Sequence, residues 1–449
     1  MNYTTLKKSY YTFTIPKEDG SLLLYNSFTG VIISVYEEKE IERVKDILAQ
    51  KEILYDENDK TIDTFYKKGI LVQSQKDEYK FLRYAYERDI VRNNTLVLTL
   101  IVTRQCNLKC VYCYEEHENL YMDEEIYDRL LKFIKNSLEN KQYSNVVISL
   151  FGGEPFVEYE NVVKFLSKVK EICSEYHAGY SSNATTNGAL IYPERFEELS
   201  KLNCNYYQIT VDGFAETHDK YRVSADKKGS WNQIMKNLKY MASTDYNFHV
   251  TIRTNFNDEV FARAEEFYKY IKDNFDSRFS VYYEGIKKLG GSNDDNIDIL
   301  DSKDVSQYSI NVAKVLKDLG LKNDVSDTMT RPYNRVCYAS KYQNFLIDYD
   351  GAVLKCTLVL DDDLNRIGFI DENGTMIIDE VKNSNWVAEK IDLDEKCKAC
   401  RVLPICFGGR CVNGRVHGQS YECDSNGQEM ELILSLIHIS EPTRPRLIS

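Results

Sequence analysis

The amino-acid sequence predicts an α/β protein: a partial (β/α)6 barrel, preceded by a small α+β unit and followed by a cysteine-rich region. Three observations predict it. Between residues 96 and 285, six apolar strand-like runs alternate with amphipathic helical stretches. The conspicuous glycine and polar motifs sit at the C-terminal ends of those runs, never on the helices. Ten of the twelve cysteines fall into two groups, at 106–113 and 337–423. Strands alternating with helices imply a parallel sheet with right-handed crossovers, and such sheets build their sites at the strands' C-terminal ends.

Taken in order, SYYTFTI (9–15), SLLLYNSF (21–28) and GVIISV (30–35) read as strands, the first two around the turn PKEDG. Residues 37–53 and 63–72 then have helical character. In the barrel, LVLTLIVT (96–103) reads as a buried strand and 123–140 as an amphipathic helix. The strands NVVISLF (145–151), YSSNATT (180–186), YYQITV (206–211) and FHVTIRT (248–254) precede helices near 160–175, 193–202, 230–243 and 259–274. FSVYYEG (279–285) closes the series. These elements divide the chain into an N-terminal domain (1–90), the barrel (91–290), linker helices (291–336) and a cysteine-rich domain (337–433). LSLIHISEPTR (434–444) resembles the translation of a transposase adapter used in DNA library preparation. Residues 434–449 are therefore set aside, and the natural C-terminus is expected to be missing.

Composition narrows the chemistry. With 449 residues, 43% hydrophobic and 28% charged, the chain suits two or three soluble domains. A net charge of −13 without a Lys/Arg block argues against a nucleic-acid partner. No apolar stretch is long enough to span a bilayer, and the N-terminus lacks a signal-peptide core. These features predict a cytoplasmic protein whose thiols stay reduced, so the cysteines read as metal ligands.

The first group, TRQCNLKCVYCYE (103–115), spaces Cys106, Cys110 and Cys113 as C-x3-C-x2-C. A structural zinc site needs four ligands, for which His117 is the local candidate. A disulfide leaves one thiol over. Three thiolates on a [4Fe–4S] cluster leave one iron open for a substrate or cofactor, and the spacing favours this reading. After the second strand comes GGEP (Gly152, Gly153, Glu154, Pro155), after the third Thr186 and Asn187, and after the fourth Asp212, while the fifth carries Arg253. Singly these motifs are turns, strand exits or surface ion pairs; their shared rim is what gives them weight.

From about residue 96 to 433 this arrangement resembles the radical S-adenosylmethionine (SAM) superfamily. The resemblance implies a [4Fe–4S] cluster on Cys106, Cys110 and Cys113, with SAM completing the site and yielding a hydrogen-abstracting 5′-deoxyadenosyl radical. It implies that Gly152, Gly153 and Glu154 receive the methionyl group, that Tyr112 packs near adenine, and that Thr186, Asn187, Asp212 and Arg253 contact ribose or carboxylate. The bland alternative for Cys173 and Cys204 is that they are small buried hydrophobes, and that is the expectation.

The second group reads C-x13-G-x4-C (Cys337, Gly351, Cys356), then CKACRVLPICFGGRC (397–411), then Cys423. It resembles the SPASM domain, which carries auxiliary iron–sulfur clusters, although the final gap here is x4 instead of x3. By that resemblance Cys397, Cys400, Cys406 and Cys423 hold one cluster, and Cys337, Cys356 and Cys411 a second with an open iron for a substrate thiolate. Sulfatase-maturing relatives place a catalytic aspartate after the second SPASM cysteine, where this chain has Thr357. Asp361, Asp362 and Asp363 are expected to be solvated, and no general base is identifiable.

Residues 1–90 resemble the winged-helix-like leader-recognition element of ribosomal peptide maturases, which takes an extended leader along a strand edge. A cap shielding the barrel is the plainer alternative. The resulting expectation is a maturase with SAM and three [4Fe–4S] clusters. It would install cross-links, Cys thioethers foremost, in a ribosomal precursor peptide, with electrons from a flavodoxin or ferredoxin. Formylglycine formation in a sulfatase is the alternative within enzymes, and a zinc-stabilised peptide-binding protein the alternative outside them.

Overall fold

The computed structural model describes residues 4–88, 94–224, 228–289, 291–297, 299–300, 302–325, 331–332, 336–387, 395–407 and 411–418. Cys423 and the adapter-like 434–449 lie outside the described residues.

The N-terminal unit contains two three-stranded antiparallel sheets. In the first, β1 (Thr5–Lys8) lies between β5 (Ile53–Leu54) and β6 (Leu71–Gln73); the second has the order β2 (Thr12–Pro16), β3 (Leu22–Asn26), β4 (Val31–Val35). Helices α1 (Glu38–Ala49), α2 (Lys60–Lys68) and α3 (Glu78–Tyr86) complete it. The helical stretch expected over 63–72 stops early. Gly69 adopts φ +78° as the left-handed cap of α2, and the chain then turns into β6.

All five residues of β3 are buried, because both faces of its sheet are covered. Leu22 and Leu24 pack with Ile41, Val44, Ile47 and Phe65 of α1 and α2. On the opposite face, Leu23 and Tyr25 pack with Phe13 and with Val402 and Ile405 from the C-terminal cysteine segment. The N-terminal unit therefore caps that segment. Arg401 donates from Nε to the carbonyl of Tyr10 (3.1 Å), also bonds the carbonyl of Thr12, and lies over the Phe13 ring. Tyr86 stacks on Phe407 at 3.7 Å.

The barrel strands are β7 (Thr95–Ile101), β9 (Asn145–Phe151), β10 (Gly179–Thr186), β11 (Cys204–Thr210), β13 (His249–Phe256) and β14 (Phe279–Gly285), adjacent in that order and all parallel. Outside them lie α4 (Glu124–Glu139), α5 (Tyr159–Glu175), α6 (Pro193–Lys201), α8 (Trp231–Ala242) and α10 (Ala264–Asn274), with α7 (Ala215–Tyr221) and α9 (Asp258–Phe261) as short additions. Asp123 starts α4 by accepting from the Ile126 amide at 2.9 Å.

β7, expected to be buried throughout, alternates instead. Leu96, Leu98 and Leu100 are fully buried against the helices, while Val97 and Thr99 are half-buried on the concave side. An incompletely closed barrel leaves its inner face partly open, so only the outward-pointing half of each strand meets apolar cover.

The sheet does not end at β7. Strand β15 (Asn344–Ile347) pairs parallel to it, followed by antiparallel β16 (Ala352–Leu354), β17 (Arg366–Ile370) and β18 (Met376–Ile378), giving ten strands in one mixed sheet. The cysteine-rich region thus covers what would be a long open barrel edge. The stretch read as linker helices contributes α11 (Ser302–Leu319), whose Val312 and Leu316 join the barrel core. Among the described residues no helix is long and apolar enough to cross a membrane.

One buried ion pair ties the added strands to the barrel. Arg104, just after β7, donates from Nη2 to Asp348 Oδ2 at 2.7 Å, with the Asp348 side chain fully buried. Its Nη1 also donates to both oxygens of the largely exposed Asp361 (2.7 and 2.9 Å). Breaking the buried half leaves an uncompensated charge, whereas the exposed half is screened. Asp348→Ala should therefore cost about 3 kcal/mol in denaturant unfolding, and Asp361→Ala less than about 1 kcal/mol.

Candidate active site at the barrel rim

The cysteine loop follows β7 and crosses the C-terminal rim. Its middle forms β8 (Leu108–Cys110), paired antiparallel with β12 (Arg222–Ser224), so that Cys110 lies opposite Arg222. GGEP follows β9, and its backbone is laid directly on the start of the cysteine loop. The amide of Gly153 donates to Thr103 O at 3.1 Å and that of Glu154 to Gln105 O at 2.8 Å. A Cβ on Gly152, at φ +118°, would stand 2.4 Å from Thr103 O, and one on Gly153 would stand 2.3 Å from Gln105 O. What the two glycines visibly admit is the chain itself.

Glu154 is completely buried. Its carboxylate accepts from the amides of Phe156 (3.1 Å) and Asn187 (2.7 Å) and from the Thr186 hydroxyl (2.8 Å). Burial raises its pKa, against the lowering effect of those bonds. Asn187 Nδ2 donates to Asn107 Oδ1 at 2.7 Å and stands 3.8 Å from Cys106 Sγ. Glu154, Thr186 and Asn187 thus form one strut beneath the first cysteine, while Pro155 opens the short turn leading to α5.

A second strut lies on the other side. Asp212, also fully buried, accepts from the Asn255 amide at 2.8 Å and from the Tyr112 hydroxyl. The Tyr112 oxygen in turn accepts from Arg222 Nη1 at 2.8 Å and Asn255 Nδ2 at 3.2 Å. Arg253 joins through Asn255, donating from Nε to Oδ1 at 3.0 Å; it makes no ion pair among the described residues. Tyr112 is thus held by its hydroxyl.

The three thiols share one environment. Burial raises all three, the charge of Cys110 adds to the effect on the other two, and Cys113 reaches about 12. Burial thus favours the neutral thiols, and a bound metal would deprotonate them outright. Three thiols on one short loop are a donor set that fits an iron–sulfur group. His117 Nε2 lies 3.6 Å from Cys113 Sγ, so the local zinc-type candidate is adjacent as well. Among the described residues, no three His, Cys, Asp or Glu side chains are gathered as a single-ion site.

In the second group, burial raises the Cys356 thiol to about 11, and the charges of Cys337 and Cys411 add to the effect. Asn365 pins this stretch, accepting from the Cys356 amide and donating to its carbonyl, each at 2.8 Å. Lys355 beside it is buried, which lowers its pKa to about 7, and its Nζ donates to the carbonyls of Lys341 and Asn344 at 2.8 and 2.9 Å. Thr357 bonds Tyr338 twice, at 2.8 and 2.9 Å, and both lie near enough to Tyr114, the residue after Cys113, to act on its electrostatics. The stretch after Cys356 therefore neighbours the stretch after Cys113. Cys397 and Cys400 lie against Tyr11, Leu82 and Tyr86 of the N-terminal unit, with Cys406 closing the same segment. Cys173 and Cys204 are fully buried in the barrel core.

The acidic run is solvated at Asp361 and Asp363, which are exposed, while Asp362 is half-buried. Asp361 bonds Arg104, and Asp362 accepts from His417 Nε2 at 2.8 Å and caps the turn at Leu364. Arg222, Tyr114 and His117's pairing with Cys113 are what the sequence reading did not assign. Arg222 opens β12, a short strand outside the barrel series, so no barrel periodicity or spacing marks it.

Residues 100–271 match the family model described as the Radical SAM superfamily. The chain carries a radical SAM domain and is a radical SAM enzyme. Its relatives are more particular. It is 27% identical over 333 residues to a cysteine-type anaerobic sulfatase-maturating enzyme of Clostridium novyi, covering 68% of this chain and 84% of that one. It is 26% identical over 273 residues to the radical SAM cyclopropyl synthase TigE of Paramaledivibacter caminithermalis, spanning 54% of this chain and about half, 55%, of that relative. Among solved structures it resembles anSMEcpe with bound AdoMet (TM-score 0.62, 18% identity, 77% and 93% of the two chains). It also resembles Streptococcus suis SuiB bound to precursor peptide SuiA (TM-score 0.52, 16% identity, 94% and 99%). Those two likenesses establish the fold.

Gly153→Ala should displace the cysteine loop from the rim, since a methyl group cannot occupy the space 2.3 Å from Gln105 O. The expected result is an unchanged far-UV circular dichroism spectrum with SAM affinity reduced at least about tenfold, a loss of some 1.4 kcal/mol, in equilibrium dialysis.

Proposed function

We propose that this enzyme matures a ribosomal precursor peptide, abstracting hydrogen from an acceptor residue and joining it to a cysteine sulfur as a thioether. The observation that carries the reading is the nearness of the second cysteine stretch to the rim: Thr357, next to Cys356, and its bonded partner Tyr338 neighbour Tyr114, next to Cys113. In this reading Cys106, Cys110 and Cys113 hold the [4Fe–4S] cluster to which SAM binds. Cys337, Cys356 and Cys411 hold a second, and Cys397, Cys400, Cys406 and Cys423 a third. These groups supply the radical and the route for electrons, with a flavodoxin or ferredoxin as donor.

The chain's own residues would orient and exclude. Glu154 has lone pairs left to receive an ammonium beside its three donors, and the Thr186–Asn187 strut keeps it in place. Tyr112 and Arg253 would line the opposite side, with Asp212 fixing both through Asn255. The missing fourth thiol at the Cys337 group would be the substrate's. An aspartate at Thr357 is what sulfatase maturation calls for in the relatives this chain resembles, so the threonine favours cross-linking.

A second reading draws on the likeness to the Clostridium novyi sulfatase-maturating enzyme, which extends over 84% of that protein. Mass spectrometry separates the two. Anaerobic reaction with a cysteine-containing precursor peptide should give a product lighter by two hydrogens per bond, resistant to thiol reagents and unreactive to hydrazines. A hydrazine-reactive product would establish the sulfatase reading instead. Anaerobically purified protein should carry about 12 iron atoms, three clusters of four, in the full-length natural chain; colourless protein containing zinc would sink both.

The N-terminal unit is proposed to engage the leader peptide as well as to cap the cysteine segment. Because Leu23, Tyr25 and Phe13 cover Val402 and Ile405, deleting residues 1–88 should lower both leader affinity and iron content. Leader affinity lost together with about four iron atoms per chain is the expected outcome, read by fluorescence anisotropy and iron analysis; full iron retention would refute the capping role.

A further inference from the structure

Among the described residues Lys355 is the only lysine that is fully enclosed, at 1% exposure, and it stands directly before Cys356. A lysine is rarely enclosed unless its amine has fixed acceptors. Here the acceptors are main-chain carbonyls: Nζ donates to Lys341 O at 2.8 Å and to Asn344 O at 2.9 Å, and lies 5.5 Å from the centre of the Phe345 ring. Two N–H groups serve both bonds, so the arrangement holds for the ammonium and the amine alike.

The register shows why a side chain is needed at this point. The antiparallel β15–β16 ladder consists of Ile347–Val353 and Leu346–Leu354. Continued by one step it would pair Phe345 with Lys355, but the Lys355 amide donates to Asn365 Oδ1 at 3.0 Å instead. The hairpin therefore parts where its two ends lead to the second cysteine group. One end runs back through the turn Tyr338–Ser340 to Cys337, whose carbonyl accepts from the Ser340 amide (3.1 Å) and hydroxyl (2.8 Å). The other runs on to Cys356, which Asn365 holds by both its amide and its carbonyl. The Lys355 side chain supplies the tie between the two ends that the ladder no longer gives.

We infer that Lys355 is a positioning residue of the second cysteine group: by fastening the Cys337 turn to the strand that runs into Cys356, it sets the separation of those two thiols. The inference rests on the iron–sulfur reading of that group. Lys355 itself ligates nothing; it acts through the backbone that carries the ligands. Groups behind the ligands of a metal site orient them, and their loss weakens metal binding much as loss of a ligand does. Without the amine two carbonyls lose a donor, and the Cys337 turn is no longer held to the Cys356 strand. The first cysteine loop is anchored separately, by Gly153 and Glu154, and does not depend on Lys355.

The test uses the full-length natural chain, reconstituted anaerobically, as Lys355→Met, Lys355→Arg and Cys356→Ala. The readouts are iron content, the EPR signals of the reduced protein with and without SAM, SAM cleavage, and the mass of the peptide product. The signal that Cys356→Ala removes marks the second group. Lys355→Met should lose that signal together with about four iron atoms per chain, and keep the signal that responds to SAM. It should cleave SAM within about twofold of the parent and form at least about tenfold less product. Full iron and an unchanged second-group signal in Lys355→Met overturn the inference. If Lys355→Met loses the SAM-responsive signal as well, Lys355→Arg decides: recovery of both signals by the retained donors supports positioning, and no recovery overturns it, since the residue then serves the fold at large. Product formed at the parent rate without the second-group signal would uphold the positioning role and overturn the reading of that group as the substrate's site. A parent from which Cys356→Ala removes neither iron nor signal would overturn the iron–sulfur reading of the group, and the inference with it.

Discussion

Two stretches of backbone meet at the barrel rim so closely that no side chain fits between them. The GGEP turn after β9 hydrogen-bonds to the carbonyls of Thr103 and Gln105, and Gly152 and Gly153 leave the space that contact requires. Everything else at the site depends on it. With the start of the cysteine loop riveted to a barrel strand, Cys106 falls above Asn187, Cys110 reaches β12, and Tyr112 arrives between Asp212 and Arg222. A loop of some twenty residues on an open barrel would otherwise carry too much conformational freedom to present three thiols in one arrangement.

The rim is preorganised chiefly by buried polar groups that satisfy one another. Glu154 and Asp212 are both fully buried carboxylates, and each is bonded by backbone amides as well as side chains. Such groups are expensive when unpaired and rigid when paired, so the two struts hold the loop from both sides without occupying the concave interior. The inward residues of β7 and β9 are only half-covered.

The cysteine-rich region and the N-terminal unit are less separable than domains joined by linkers. The former continues the barrel sheet through β15 and is clamped by Arg104; the latter lays a sheet face on the segment bearing Cys397, Cys400 and Cys406. Thr357, beside Cys356, neighbours Tyr114, beside Cys113, so the second cysteine stretch borders the first.

Much of this was legible in the chain. The six barrel strands and their helices follow from period-2 and period-3.6 patterning, and the cysteine loop, GGEP, Thr186, Asn187, Asp212 and Arg253 could be placed on one rim because each sits at or beyond a strand's C-terminal end. The relation between residues without a spacing rule could not be read. Arg222 is a charged residue in a short strand outside the barrel series, the Arg104–Asp348 pair spans 244 positions, and Val402 and Ile405 look like any short apolar run. The sequence by itself determined which residues lie at the strand ends, since backbone periodicity is a local property. Only the tertiary structure decided that the two glycines admit the chain's own loop and that Arg222 stands opposite Cys110, because long-range register is settled when separate strands pack together.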